Sequence, residues 1–343
     1  MDARLRWTFV FILLLNPCAS TSQPLTIGII DFYGLGSVSE PDARQALTFK
    51  EGDSVSVESG GRPALLAESE RRLAAVPGVR RARLSLVCCD GGRAIVYVGI
   101  EEKGRVTSPF RAAPTGAVRL RADLVELGER FERASMAAVQ RGDTAEDDSR
   151  GHALSSDPAT RAVQERFGDY AGREPGHLRR VLRDSSDADH RALAAQVLGY
   201  APDKDAVVFD LVRAMTDASE GVRNNAMRAL AVFANAAPAA RPKTPIPTDG
   251  FIALLGSPVW TDRNKSSWAL AQLTEQREPR LLEQLRREAI VPLVEMARWK
   301  SPGHAAPALT ILGRIAGLSD EVVVAASTPA AREAIIKAAL ERR

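Results

Sequence analysis

Four twelve-residue segments of this chain align without gaps: "HRALAAQVLGYA" (190–201), "VRNNAMRALAVF" (222–233), "DRNKSSWALAQL" (262–273) and "HAAPALTILGRI" (304–315). Leu198, Leu230, Leu270 and Leu312 share one column, at successive offsets of 32, 40 and 42 residues, and Val197, Ala229, Ala269 and Ile311 precede them. Each copy follows another apolar stretch at helical spacing: "HLRRVLRD", "AVVFDLVRAMTD", "DGFIALLG" and "AIVPLVEMARWK". The unit is therefore a helical hairpin. One hairpin cannot bury both sides of its apolar stripe, so neighbours must stack to build a continuous core. Small residues at Ala194, Ala195, Ala226, Ala229, Ser266 and Ala269 let the helices approach closely.

These copies resemble HEAT repeats, whose second helix carries a Val-Arg-x-x-Ala-x-x-Ala-Leu pattern met most fully by Val222 to Leu230. Arg191, Arg223 and Arg263 occupy the arginine column of that pattern, and Ala305 departs from it. The resemblance implies an armadillo-like α-solenoid over 174–343 that binds proteins and ends in a capping helix, "PAAREAIIKAALERR". It also implies Asp217 as the loop partner of Arg223, a pairing the other copies do not repeat cleanly.

Residues 25–102 follow a different grammar. "LTIGIIDFYG" is β-branched and aromatic, "EPDARQALTF" opens like a short helix, and "ALLAESERRLAAV" has helical apolar spacing. "ARLSLVCC" and "AIVYVGI" then alternate as strands around Asp90-Gly91-Gly92, a hairpin signal because glycine takes positive φ at no steric cost. Ala82, Leu84, Leu86 and Cys88 share one face of the first strand, and Ala94, Val96, Val98 and Ile100 share one face of the second. The order is β-α-α-β-β. With Gly52-Asp53, Pro77-Gly78-Val79 and the closing Glu102, it resembles a polypeptide-transport-associated (POTRA) domain. That resemblance implies a docking module of the cell envelope whose exposed strand edge receives another strand. The expected fold class is thus an α+β domain over 25–102 followed by an all-α HEAT-repeat solenoid, mostly helical overall. Between them, 103–173 reads as one helix, with Leu120, Leu124, Leu127 and Phe131 on its face, plus a polar flexible connector whose "EDD" run is solvated.

Arg4 and Arg6, the apolar run "WTFVFILLL" and the small residues after it form a secretory leader over 1–20, too short to span a bilayer as a helix. The chain is expected to be exported, periplasmic or extracellular, without stable membrane insertion after cleavage. Its net charge is +3 with the signs interspersed, which argues against nucleic acid as a partner. Protein partners in the cell envelope are expected instead.

No catalytic constellation stands out. His152, His177, His190 and His304 lack the spacing of a zinc hydrolase, there is no Gly-x-Ser-x-Gly elbow, and "YGLGSVS" lacks the third glycine of a dinucleotide loop. No enzyme, metal or cofactor is expected. The candidate residues are protein-binding ones. In the aligned second helices, the third, fourth and seventh positions should point away from the core, which selects Asn224, Asn225 and Arg228, then Asn264, Lys265 and Trp268. Trp268 has two competing placements, an outward hot spot and inward packing.

The alternative reading is a redox- or metal-dependent envelope protein centred on Cys88 and Cys89. Strand alternation puts Cys88 inward and Cys89 outward, and a bond between adjacent cysteines strains ordinary disulfide spacing. Two thiolates make half a zinc site with no further Cys or His nearby to complete it. Cys89 is therefore the residue with redox potential, through cross-linking to a second chain.

Overall fold

The computed structural model describes residues 24–56, 62–104 and 110–342. The leader expected over 1–20 lies outside these described residues. By contact the chain forms two compact units: a central unit, Phe110–Pro247, and a split unit that joins the described residues before it to those from Thr248 onward.

The split unit begins with strand β1 (Leu25–Tyr33), helix α1 (Glu40–Gln45), the short strand β2 (Ser54–Val55), helix α2 (Ala64–Ala74) and strands β3 (Val79–Asp90) and β4 (Arg93–Glu102). Apart from the two-residue β2, this is the β-α-α-β-β order the sequence predicts. The sheet runs β2-β1-β4-β3, with β1 parallel to β4 and β3 antiparallel to it. One sheet face, with Ile27, Leu84, Val96, Val98 and Ile100, packs on Ala43, Leu66 and Leu73 of α1 and α2. A strand covered on one face alternates between buried and exposed side chains, yet β4 is buried continuously from Ala94 to Glu102. A second layer therefore covers the other face.

That layer comes from the end of the chain. It follows the central unit in sequence. The central unit holds α3 (Ala122–Gln140), β5 (Glu146–Asp147), β6 (Leu154–Ser155), α4 (Pro158–Arg173) and two hairpins, α5 (Pro175–Asp184) with α6 (Ala188–Leu198) and α7 (Val208–Ala214) with α8 (Glu220–Asn235). The split unit then resumes with two more hairpins, α9 (Asp249–Leu254) with α10 (Trp260–Leu273) and α11 (Pro279–Ala297) with α12 (Pro302–Ile315), before α13 (Asp320–Ala325) and α14 (Pro329–Glu341). The chain thus carries the helical repeats that its periodicity predicts: α6 stacks on α8, and α10 on α12.

The expected partition placed 25–102 and the repeats in separate domains, whereas contact joins the sheet to the last two hairpins. Tyr33 and Tyr97, on the sheet face away from α1 and α2, meet Trp260, Trp299 and His304. The Tyr97 ring lies 5.2 Å from Trp260 and 4.8 Å from Trp299, and Tyr33 lies 5.7 Å from Trp299. The Tyr33 hydroxyl donates to the Pro258 carbonyl at 2.9 Å. Gly99 is required at this seam, because a Cβ there would fall 1.9 Å from the Pro258 oxygen. Asp31 of β1 accepts the Lys300 N–H at 2.9 Å. Burial raises the Asp31 carboxyl above its usual range, against the lowering effect of Lys300.

The flexible connector expected within 103–173 is corrected too. The stripe Leu124, Leu127 and Phe131 of α3 is buried as expected. The polar stretch after it is held in place by charge. Glu146 pairs with Arg228 at 2.6 Å, Asp148 accepts from Asn235 at 2.5 Å, and Asp157 caps α4 by accepting the Thr160 N–H at 2.8 Å. The "EDD" run is therefore not simply solvated. Its partners lie some 80 residues away on α8, where local composition cannot reveal them.

Among the described residues no helix is long and apolar enough to cross a membrane.

Candidate protein-docking site

Strand β3 stands at the sheet edge, with β4 as its strand neighbour. Its other side, together with α2, forms a shallow groove of about 380 Å³ lined by Glu70, Arg71, Arg80, Arg81, Ala82 and Arg83, among others. Pairing with β4 runs without a slip from Arg81↔Glu101 to Val87↔Ile95. Along such a strand the N–H and C=O groups of alternate residues point to opposite sides. Leu84 turns its pair away from β4, since its N–H donates to Glu70 Oε1 at 2.7 Å and its carbonyl accepts from Arg62 Nη2 at 2.6 Å. Ala82 and Leu86, two residues either side, turn theirs the same way.

The side chains at this edge are charged. Arg62 grips both Glu70 oxygens at 2.5 Å, and Arg83 stands 3.7 Å from Glu70. Arg80 and Arg81 converge on the buried Glu101 at 2.9 and 2.8 Å, Arg80 remaining exposed and Arg81 half-buried. Next to it, Glu102 accepts from the N–H groups of Gly36, Ser37 and Val38 and from the Ser37 hydroxyl, at 2.7 to 3.0 Å. Burial alone would raise this carboxyl; those four donors outweigh it and hold it at about 2. The sequence motif that closes β4 with a glutamate therefore ties the glycine turn after β1 to the sheet.

The repeat positions expected to face solvent are placed otherwise. Asn225 is half-buried and donates to the Ala192 carbonyl of α6 at 2.9 Å; Asn224, beside it, donates to Asn225 Oδ1. Arg228 is committed to Glu146. Asn264 and Lys265 are buried, and Trp268 is half-buried. The expectation of an exposed face fails at Asn264 and Lys265 for a structural reason: α10 packs on α9 and α12 and also touches β3.

The arginine column has a structural task. Arg191, Arg223 and Arg263 each donate to the carbonyl six residues earlier, Ser185, Asp217 and Ser257, at 2.8, 2.8 and 2.7 Å. Each arginine thus clamps the turn of its own hairpin. The Asp217 carboxylate is taken by Arg191 of the preceding hairpin, at 2.8 and 3.0 Å, and Arg223 reaches the backbone of Asp217. The pairing of Asp217 with Arg223 that the resemblance implies is thus met through the Asp217 backbone, while its carboxylate serves Arg191.

Cys88 and Cys89 are joined in a disulfide, the peptide bond between them is cis, and both residues are exposed. The expected split, with Cys88 in the core and Cys89 outside, fails because pairing with β4 shifts register between Val87 and Asp90 and the alternation ends there. Among the described residues no group of three or more His, Cys, Asp or Glu is placed to hold a metal ion.

His304 is strongly perturbed as well. Burial chiefly, with Lys265 adding to it against Asp90, lowers it to about 4, and its Nδ1 lies 2.7 Å from the Tyr97 hydroxyl. The edge residues Arg62 and Glu70 escape sequence reasoning. The available signal was the density of arginine in "VRRARL", since edge strands carry charge.

No family model and no curated protein matches this sequence. Among solved structures, a designed armadillo repeat protein is similar at 19% identity and a TM-score of 0.36, over 55% of this chain and 95% of its own. A second such design, in complex with the peptide (KR)4, aligns at 16% identity and TM-score 0.35, over 55% and 94% of the two chains. An engineered protein aligns at 18% identity and TM-score 0.37, over 65% and 96%. These superpositions are loose, and the repeat assignment rests on the hairpins themselves.

Proposed function

We propose that this chain is an exported, non-enzymatic scaffold whose POTRA-like portion docks an extended segment of a partner protein along the outer edge of β3, in cell-envelope assembly. The observation that carries the reading is the regular edge from Arg81 to Val87 beside the groove with α2. An extended segment gains main-chain hydrogen bonds from such an edge and specificity from flanking side chains. The leader pattern of residues 1–20 and the β-α-α-β-β order support export and the docking module, and the sequence offers no catalytic motif. A photo-crosslinking residue at Arg83, compared with one at the exposed Arg130 of α3, tests this in intact cells. A discrete protein adduct at Arg83 is expected. Equal labelling at both positions, or none at Arg83, would contradict the reading.

A second reading, thiol–disulfide exchange, is favoured by the exposure of both Cys88 and Cys89. Differential alkylation across a graded glutathione series tests it: a change of state within the series supports exchange, and an unchanging disulfide removes it.

A further inference from the structure

We infer that the Arg62–Glu70 ion pair is a displaceable strap across the docking edge, and that the segment which displaces it is an acidic β-strand. The inference rests on the docking reading above and adds to it the chemistry of the partner and the means of control.

Leu84 sits at the middle of the regular part of β3, and both of its outward backbone groups are taken by side chains rather than by a strand. Glu70 accepts the N–H and Arg62 donates to the C=O, while the two side chains hold each other by two bonds. The pair therefore copies what one residue of an added strand would offer, a carbonyl for the N–H and an N–H for the carbonyl. An incoming strand must remove it to continue the ladder past Leu84. The strap is surface-borne at Arg62, whose side chain is 39% exposed, so opening it costs far less than breaking a buried pair.

Charge selects the occupant. The groove lining has four arginines, at 71, 80, 81 and 83, against the single Glu70. Arg80 and Arg83 expose about half of their side chains and can reach beyond their present partners. Once displaced, Arg62 joins them. Carboxylates at alternate positions of an added strand would replace Glu70 as the partner of Arg62 and Arg83. A second copy of this chain is a poor occupant, because β3 paired with β3 sets arginine beside arginine.

The test uses the full exported chain. A random nine-residue peptide library is panned on the wild type, Glu70→Ala and Glu70→Gln, and the enriched peptides are then measured against all three, with thermal melts confirming that each variant folds. Glutamine keeps an oxygen for the Leu84 N–H while removing the charge that holds Arg62 and Arg83. Enriched peptides are expected to carry Asp or Glu at alternate positions and to crosslink to Arg83. They should bind Glu70→Ala about tenfold more tightly, the worth of one hydrogen bond to a charged group, with Glu70→Gln between the two. Peptides that crosslink at Arg83 but lack acidic enrichment, or whose affinity is unchanged or weaker in Glu70→Ala, overturn the strap while leaving the docking reading intact. Enriched peptides that do not crosslink at Arg83, or no enrichment on any of the three proteins, overturn both. Peptide-free dimerisation that Glu70→Ala strengthens would assign the edge to a second copy and overturn the acidic partner.

Discussion

The two pairs of hairpins are built on one sequence column yet serve different surroundings. In the central unit Arg191 spans from its own turn to Asp217 of the next hairpin, and both side chains are 1% exposed. In the split unit Arg263 makes the same bond to its turn and reaches Glu295 on the next hairpin at 2.7 Å, with its guanidinium 4.4 Å over the Tyr33 ring of β1. One clamp thus locks helix to helix, and the other locks helix to sheet. Hairpin α5–α6 packs on α4, and α6 also meets α3, whereas α11 of the split unit meets β1 and α10 meets β3. The difference teaches that the repeat supplies a stacking rule, while the segments packed on it decide what surface remains for partners. Repeat positions that would be solvent-facing in a bare solenoid are committed here to internal contacts.

Four expectations press on that comparison. Removing a clamp has the largest effect: Arg191→Ala strips the buried Asp217 carboxylate of its cation and should cost about 3–5 kcal/mol, while Arg263→Ala strips the half-buried Glu295 of its cation and should cost about 1.5–3 kcal/mol. Denaturant unfolding checks this, with tryptophan fluorescence following Arg263→Ala, because Trp260, Trp268 and Trp299 all lie in the split unit. A loss below ~1 kcal/mol at Arg263 would break the equivalence of the two arginines.

Next comes pH. His304 titrates near 4 in the folded chain, below the ordinary 6.5. As pH falls through 6.5 the unfolded chain takes up a proton that the folded chain refuses until about 4, so stability declines across that window and then levels off. The loss is up to ~3 kcal/mol. His304→Gln should flatten this component, and an unchanged pH profile in that variant would remove the role given to the seam between sheet and helices.

Gly99→Ala should cost about 1–3 kcal/mol by forcing a methyl group against the Pro258 carbonyl, and thermal denaturation reads it. The smallest effect is expected at the cap of α4, where Asp157→Ala should cost about 1 kcal/mol. A larger loss there would mean that the polar stretch before α4 contributes more to the central unit than its ion pairs suggest.

Much of the helical architecture was legible because it depends on short-range period. The leucine column marks the four hairpins, and the alternation around Asp90-Gly91-Gly92 marks β3 and β4. Pairings across long separations were not legible: Glu146 with Arg228, Asp31 with Lys300, Tyr97 with His304. The apolar run "AIVYVGI" did hold one overlooked sign. Ile95 is as apolar as Val96 and Val98, and Tyr97 beside it is aromatic, so neither face carries the charged residues of a solvated one, the mark of a strand covered on both faces. At the candidate site, the arginines of "VRRARL" were visible in sequence, but the strap was not. Arg62 and Glu70 precede Leu84 by 22 and 14 residues and reach it through the turn from α2 into β3.

The central claim is that partners dock on the β3 edge rather than on the repeats. Residue-resolved amide hydrogen exchange of the full chain, with and without an enriched acidic peptide, tests it most directly. The account predicts added protection at the outward amides of Ala82 and Leu86, little change at Leu84, whose N–H exchanges Glu70 for a strand carbonyl, and α5 to α12 unchanged. Protection confined to those helices, with β3 exchanging as before, would contradict it.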